Sequence, residues 1–263
     1  MLHTRRSAVA VVLPVLLVAA SGCEMAAVHL RAQESVEWRK TYDLSADGRI
    51  EVRNVNGRIE VLPSDGRTVE VVAVKTARGA SADAAREALG KIEIVEDVRP
   101  DVIRIETKLP RTSGFFQSNG EVRYTVRVPA SAAAEAITVN GGVEVTGLSG
   151  RVRAETTNGG IVGRDMSGAF EASTTNGGID VQMARVADGG LRLGCTNGGI
   201  RVRLPGDARA TISASVTNGG IDTGGLQLET TQLSRRRLEA RLNGGGPPIR
   251  VEGTNGGIHF TRR

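Results

Sequence analysis

Histidine, cysteine and aromatic residues are scarce in this chain, and their scarcity argues against several classes of function. The 263 residues include three histidines, two cysteines and 3% aromatic residues. So few imidazole and thiol groups leave little for metal or thiol catalysis, and we expect no metal and no cofactor. The net charge of +5 is mild, and a run of three arginines at 235–237 is not the dense basic patch of nucleic-acid readers. We therefore expect no nucleic-acid partner.

Long apolar runs are missing as well. The longest one, residues 8–20, is shorter than the ~20 residues that a bilayer-spanning helix needs. It follows Arg5 and Arg6 and has the length of the hydrophobic part of a secretory signal peptide. The sequence therefore predicts a cleaved leader over residues 1–22 and no transmembrane segment.

The end of this leader reads Ala20-Ser21-Gly22-Cys23, which resembles the lipobox of bacterial lipoprotein signal peptides. The resemblance implies that Cys23 becomes the first residue, carries a diacylglycerol and attaches the protein to a membrane. Glu24, the residue after it, implies the outer membrane of a Gram-negative bacterium, on its periplasmic or surface face. Residues 23–37 are then expected to be the lipidated cysteine and a linker.

Glycine, in contrast, is abundant: 34 residues, roughly twice the average of about 7%. Much of the excess lies in one repeated word, Asn-Gly-Gly, preceded by Thr or Val and followed by Ile or Val. The six copies are Asn140-Gly141-Gly142, Asn158-Gly159-Gly160, Asn176-Gly177-Gly178, Asn197-Gly198-Gly199, Asn218-Gly219-Gly220 and Asn255-Gly256-Gly257. Two variants occur, at Asn56-Gly57 and at Asn243-Gly244-Gly245.

Each word predicts a tight turn, because Asn and Gly tolerate positive φ, and the residues after it alternate apolar and polar as in a strand. Successive antiparallel hairpins are one explanation. A parallel solenoid is favoured, because only stacked coils need the same inward residue at the same offset every 18 to 21 residues. Each coil would stack on the one before it, about 4.8 Å away. The asparagines could then form a hydrogen-bonded ladder.

The sequence before the Asn-Gly-Gly repeats predicts strands that do not share the repeated word. Residues 81–89 are the one good helix candidate, capped by Ser81 or Asp83. We expect residues 38–137 to be a β-rich region that covers the first edge of a solenoid over residues 138–263, because an open edge recruits other strands. The loop at 109–120 contains Phe115-Phe116, either a covering flap or an exposed contact patch. The predicted fold is all-β: a parallel β-solenoid of stacked coils of about 18–21 residues with an N-terminal cap that contains one short helix.

The order of these motifs resembles the bacterial putative-adhesin family, the DUF4097-type or toast-rack family of β-strand repeats. The resemblance rests on Asn56-Gly57-Arg58-Ile59, the strand that ends at Pro129, the Asn-Gly-Gly-Ile coils and Gly246-Pro247-Pro248-Ile249. It implies a β-solenoid at the bacterial envelope, linked in some members with adhesion and in others with envelope-stress signalling. It assigns no catalytic residue.

Three functional interpretations follow. The first is a non-catalytic, envelope-anchored adhesin or scaffold whose partner is an envelope protein or polysaccharide; the second is an accessory protein of envelope-stress signalling. The third is a polysaccharide-active enzyme, which needs two carboxylates across a cleft. The outward acids are scattered: Glu144, Glu155, Asp165, Glu171, Asp180 and Asp222. We therefore expect no enzyme activity, no calcium site in the turns, a surface position for His259 and a buried Cys195.

Overall fold

The computed structural model describes residues 32–45, 47–110 and 120–263. The predicted leader, Cys23 and the Phe115-Phe116 pair lie outside these residues. Within the described residues the chain forms twenty-one strands and one helix, which confirms the all-β prediction. A search of the same residues finds no helix with the length and apolar character needed to cross a membrane.

The front part of the chain alternates strands with a single helix. Its elements are β1 (Ala32–Asp43), β2 (Arg49–Arg53), β3 (Ile59–Ser64), β4 (Thr68–Gly79), α1 (Ala82–Gly90), β5 (Glu93–Val98), β6 (Val102–Lys108) and β7 (Gly120–Pro129). The predicted helix is confirmed: the Ser81 hydroxyl caps it by accepting a hydrogen bond from the amide of Ala84 at 3.2 Å. Strand β1 begins at Ala32, inside the stretch expected to be a linker. Its backbone pairs along the whole of β4, while Trp38 and Tyr42 pack against the core.

The repeats form short strands in pairs, one pair for each coil. The strands are β8 (Ala133–Asn140), β9 (Val143–Thr146), β10 (Val152–Asn158), β11 (Ile161–Met166), β12 (Phe170–Asn176), β13 (Ile179–Met183), β14 (Leu191–Asn197), β15 (Ile200–Leu204), β16 (Ala210–Asn218) and β17 (Ile221–Asp222). A hairpin follows, β18 (Leu228–Leu233) and β19 (Arg237–Leu242), and then a further coil, β20 (Pro248–Asn255) and β21 (Ile258–Arg262).

Two sheets face each other across the core. In the described chain, the ten-stranded sheet has the order β1-β4-β7-β3-β9-β11-β13-β15-β21-β17, and the eleven-stranded sheet has the order β18-β19-β16-β20-β14-β12-β10-β8-β2-β6-β5. Neighbouring coils pair in parallel and in register, so that Ile161, Ile179 and Ile200 form one buried column. The parallel solenoid is therefore confirmed. Strands β2 and β3 form a coil of the same stack, which begins before residue 138.

The order of the coils differs from the prediction that each stacks on the one before it in sequence. Strand β20 pairs with β14 on one side and with β16 on the other, and β21 lies in the same way between β15 and β17. The coil formed by residues 248–262 is thus inserted between two coils that precede it in the chain. The expectation of sequential stacking is wrong at this end, because the intervening hairpin β18–β19 pairs antiparallel on β16 and carries the chain back.

Antiparallel strands finish both ends of the stack. At one end β7 still pairs in parallel with β3, and β4 and then β1 continue the ten-stranded sheet in antiparallel pairing, while β5 pairs antiparallel with β6 at the edge of the other sheet. The Tyr42 hydroxyl of β1 donates a hydrogen bond to Glu96 of β5 at 2.6 Å, which ties the two edges together. At the other end the hairpin β18–β19 extends the eleven-stranded sheet, and Leu233 is 63% exposed there.

Candidate functional site

The Asn-Gly-Gly turns lie in one line along the stack. Six of the asparagines each donate a hydrogen bond from the side-chain amide to the Oδ1 of the asparagine in the neighbouring coil on the Asn56 side, with Nδ2–Oδ1 distances of 2.8–2.9 Å. In spatial order the ladder is Asn56, Asn140, Asn158, Asn176, Asn197, Asn255 and Asn218. The predicted asparagine ladder is therefore present, and it includes the early variant Asn56. The late variant, Asn243, lies elsewhere: it joins β19 to β20 and donates to the carbonyl of Ala208 at 2.8 Å.

The first glycine of each word allows the coils to approach closely. Gly198 has φ +149°, and a Cβ on it would overlap the carbonyl oxygen of Gly177 in the neighbouring coil. Gly199, in contrast, has room for a side chain, because a Cβ added to it would lie 3.5 Å from the nearest atom. The two glycines of this word are thus not equivalent. The first one must be glycine because its φ is positive and because a side chain would collide with the neighbouring coil.

A second ladder lies just inside the turns. The hydroxyls of Thr156 and Thr174 donate to the carbonyls of Gly141 and Gly159 at 2.8 and 2.9 Å, and the Cys195 thiol donates to that of Gly177 at 3.1 Å. Cys195 is buried, as predicted, and burial raises the pKa of its thiol. The thiol therefore occupies a threonine position and is shielded from reagents.

Replacing this cysteine separates its two contributions to stability. Cys195→Thr should raise the free energy of unfolding by about 0.5 kcal/mol, because a hydroxyl is the stronger donor to the Gly177 carbonyl. Valine has the shape of threonine but no hydrogen-bond donor, so Cys195→Val should be about 1 kcal/mol less stable than Cys195→Thr. Urea unfolding of the three proteins measures both differences. Equal midpoints for the Thr and Val variants would show that the ladder contributes nothing at this coil.

The outward acids lie on both faces of the molecule, and each lies within 4 Å of an arginine or a histidine. On the ten-stranded sheet Glu144 contacts Arg58 and Arg164, while Asp165 contacts Arg263 at 2.6 Å, Asp180 contacts Arg203 at 2.9 Å and Asp222 lies 3.5 Å from His259. On the eleven-stranded sheet Glu155 contacts Arg153 at 2.6 Å, and Glu171 lies 3.7 Å from Arg151. Two of them, Glu155 and Glu171, line one recess on the eleven-stranded sheet, and each of these two lies within 4 Å of an arginine. His259 is exposed, as predicted.

The eleven-stranded sheet carries a row of mostly charged side chains on its outer face. The row consists of the residues five positions before each ladder asparagine: Glu135, Arg153, Glu171, Arg192, Arg250 and Ser213 in spatial order. Beyond it, buried Glu51 accepts hydrogen bonds from Arg104 and Arg49 at 2.8 and 2.9 Å. The hydrogen bond from Arg104 is the largest cause that holds the pKa of Glu51 below its usual value.

Arg192 and Arg250 break this pattern of pairing. They are direct neighbours on β14 and β20, both are exposed, and neither forms an ion pair or hydrogen bond with any residue that the structure describes. Two like charges side by side on adjacent strands lower stability. Their guanidinium groups are therefore free to bind an anion from outside.

A recess lies next to these two arginines. It has a volume of about 250 Å³ and is lined by Glu155, Ser173, Arg192, Gly194, Arg250 and Glu252, among others. Its depth comes from Gly194, which has no side chain. We call it the Gly194 recess. A second recess of about 240 Å³ shares Glu171 and Arg192 with it and continues along the strands to Gly189.

Sequence reasoning missed this site, although part of the signal is in the sequence. Arg192 and Arg250 stand at the same offset before Asn197 and Asn255, which predicts that both lie in one row. In sequential stacking, however, the coil with Asn218 would come after the one with Asn197. Only the inserted coil makes the two arginines neighbours.

The same coils define the family. The family model described as Toastrack DUF4097 matches residues 49–261, from β2 to β21, and so includes every asparagine of the ladder. The chain belongs to this family. The Toastrack chain has no significant match among curated protein sequences. Among the residues that the structure describes, no group of three or more His, Cys, Asp or Glu side chains is placed to hold a metal ion.

Solved structures with the Toastrack chain's fold are distant in sequence. A putative cell adhesion protein from Clostridium sporogenes is 10% identical, with a TM-score of 0.50, 88% of this chain covered and 100% of that chain covered. A putative adhesin from Bacteroides fragilis is also 10% identical, with a TM-score of 0.32 over 87% of this chain and 97% of that one. At this identity the first likeness shows the fold alone.

Proposed function

We propose that this Toastrack protein is a non-catalytic binding module, held at the bacterial cell envelope by a lipid on Cys23, that attaches to an envelope polysaccharide or protein. One observation carries the non-catalytic part: each of the six outward acids is engaged by an arginine or a histidine on a broad sheet surface. A glycosidase pair needs a free acid and a free base across a bound sugar.

Adhesion is the type of binding that the name of the Clostridium sporogenes relative suggests. The fold suits it, because a stack of paired sheets presents wide, rigid faces whose rows of side chains are spaced at about 4.8 Å. The anchor is supported by the lipobox-like sequence that ends at Cys23. Few residues separate the proposed lipid from the first strand, so the sheets would lie close to the membrane.

Cells that lack the gene should lose attachment to the surface or polymer that this protein binds. The wild-type gene should restore attachment, whereas Cys23→Ser should release the protein into soluble fractions, abolish incorporation of labelled fatty acid and fail to restore it. Glu144→Gln, Asp180→Asn and Asp222→Asn should each restore attachment, since a binding face depends on no single carboxylate. Full fatty-acid labelling of the Cys23→Ser protein would refute the anchor. A folded, correctly located carboxylate variant that behaves like the deletion would refute the non-catalytic proposal.

A further inference from the structure

Gly194 lies in a strand where the backbone does not require glycine. A Cβ on it would meet only the Ser173 hydroxyl oxygen, at an ordinary 3.7 Å, and its φ is outside the left-handed region. Glycine within a strand costs roughly 0.5–1 kcal/mol relative to alanine, and it often marks a place where a ligand approaches the backbone closely. The missing side chain therefore creates the Gly194 recess without serving a turn.

The charges around the recess define the kind of ligand that fits. The free guanidinium groups of Arg192 and Arg250 suit a carboxylate, because arginine binds this group with two parallel hydrogen bonds. A bound carboxylate would also remove the repulsion between the two arginines. The carboxylates of Glu155, Glu171 and Glu252 line the same recess and can accept hydrogen bonds from hydroxyl groups. They also disfavour a dense anion, so a doubly charged phosphate fits less well than a single carboxylate among hydroxyls.

The size of the site indicates a polymer of small units. A volume of about 250 Å³ is below the ~300–1,000 Å³ of pockets that enclose a whole drug-sized ligand. The second recess adjoins it through Glu171 and Arg192, and it has nearly the same volume. Two adjoining recesses of equal size can hold consecutive units of one chain.

We propose that the Gly194 recess binds an acidic sugar unit of a polysaccharide, with its carboxylate between Arg192 and Arg250 and its hydroxyls toward Glu155 and Glu252. This inference rests on the proposed binding function and names its ligand class. The sugar ring occupies the space above Gly194, and the neighbouring unit of the chain enters the second recess. Of the carboxylates that line the recess, Glu155 and Glu171 are already paired with Arg153 and Arg151, so the recess offers no free acid–base pair and the polysaccharide is bound and not cleaved.

Polygalacturonate, a polymer of uronic acid units, is the probe, and dextran is its neutral counterpart. The purified protein should bind polygalacturonate in calorimetry and should not bind dextran. The double variant Arg192→Ala/Arg250→Ala should weaken binding at least tenfold with an unchanged or higher melting temperature. Arg127→Ala is the matched control: Arg127 is an exposed arginine on the ten-stranded sheet with no ion pair to any described residue, and its loss should change affinity less than twofold.

Gly194→Val tests the recess apart from charge. Valine favours strand geometry and has room above the backbone, so the variant should fold and melt at the same or a higher temperature. It should nevertheless bind polygalacturonate at least tenfold more weakly, because the side chain fills the recess. Thr146→Val, on the outer face of the other sheet, is the control and should bind normally.

Three results would overturn the inference: no binding of polygalacturonate by the wild-type protein, equal binding by Gly194→Val, or a preference for vesicles of phosphatidylglycerol over polygalacturonate. The last result would assign the arginines to a phospholipid surface. These failures are distinct from failure of the proposed function. Cells with Gly194→Val that attach normally, while Cys23→Ser cells do not, would leave the anchored binding module in place and remove only the recess.

Discussion

A chain that ends at Pro247 is expected to lose the order of many residues that it still contains. In the described chain, β16 and β17 are joined to the rest of the stack only through β20 and β21, with which they pair in parallel. Without them, the segment from residue 205 to 247 has no strand to dock on in its native register. Limited proteolysis with mass spectrometry should therefore cut throughout residues 205–247 and leave a resistant core that ends near Leu204.

A variant that ends at Leu204 is the matched control, and its core should melt at the same temperature as that of the longer truncated chain. Sequential stacking makes the opposite prediction, since the loss of the final coil would leave β16 paired and protected. A protease-resistant product that retains Ala210–Asn218 would show that β16 can dock directly on β14. That result would contradict the argument that the inserted coil is required.

Gly198→Ala is expected to destabilise the protein by about 2–4 kcal/mol. The methyl group would overlap the Gly177 carbonyl oxygen, and an L-residue at φ +149° is strained besides. Relief requires the two coils to move apart, which weakens the hydrogen bond from the Cys195 thiol and the ladder bond from Asn197 to Asn176. The free energy of unfolding, from urea or thermal melts, measures the loss.

Gly199→Ala provides the control within the same turn. Its Cβ would lie 3.5 Å from the Gly257 carbonyl oxygen, in ordinary contact, so the change should cost less than about 1 kcal/mol. The same contrast should appear between Gly177 and Gly178, where the first position is again the crowded one. Equal losses at the two positions of a word would contradict both the crowding and the backbone strain that we assign to the first glycine.

Local features of the fold were predictable because each depends on a few neighbouring residues. The Asn-Gly-Gly turns, the alternation of strands such as Ile179–Met183 and the helix capped by Ser81 are all properties of short segments. The parallel stack followed from a constant offset between equivalent side chains. The buried position of Cys195 followed from the same offset.

The order of the coils could not be predicted, because the coils are nearly interchangeable. Their inward residues are similar aliphatic side chains, as at Ile200, Ile258 and Ile221, and every turn offers the same asparagine to its neighbour. Nothing within one coil specifies which other coil it contacts. The hairpin β18–β19 decides the order, and its sequence does not distinguish a pair of strands from an inserted loop. The Gly194 recess was missed for this reason, since Arg192 and Arg250 meet only in the actual order.

Insertion of the coil at residues 248–262 also sets an order of folding. The proposed leader would deliver the chain across a membrane with its N-terminus first, and a solenoid with sequential coils could then grow on its own end, each coil resting on a finished one. Here that growth stops at β15, because β16 must wait for the inserted coil that follows it in the chain. During this interval β14 and β15 present an open edge, which can recruit other strands.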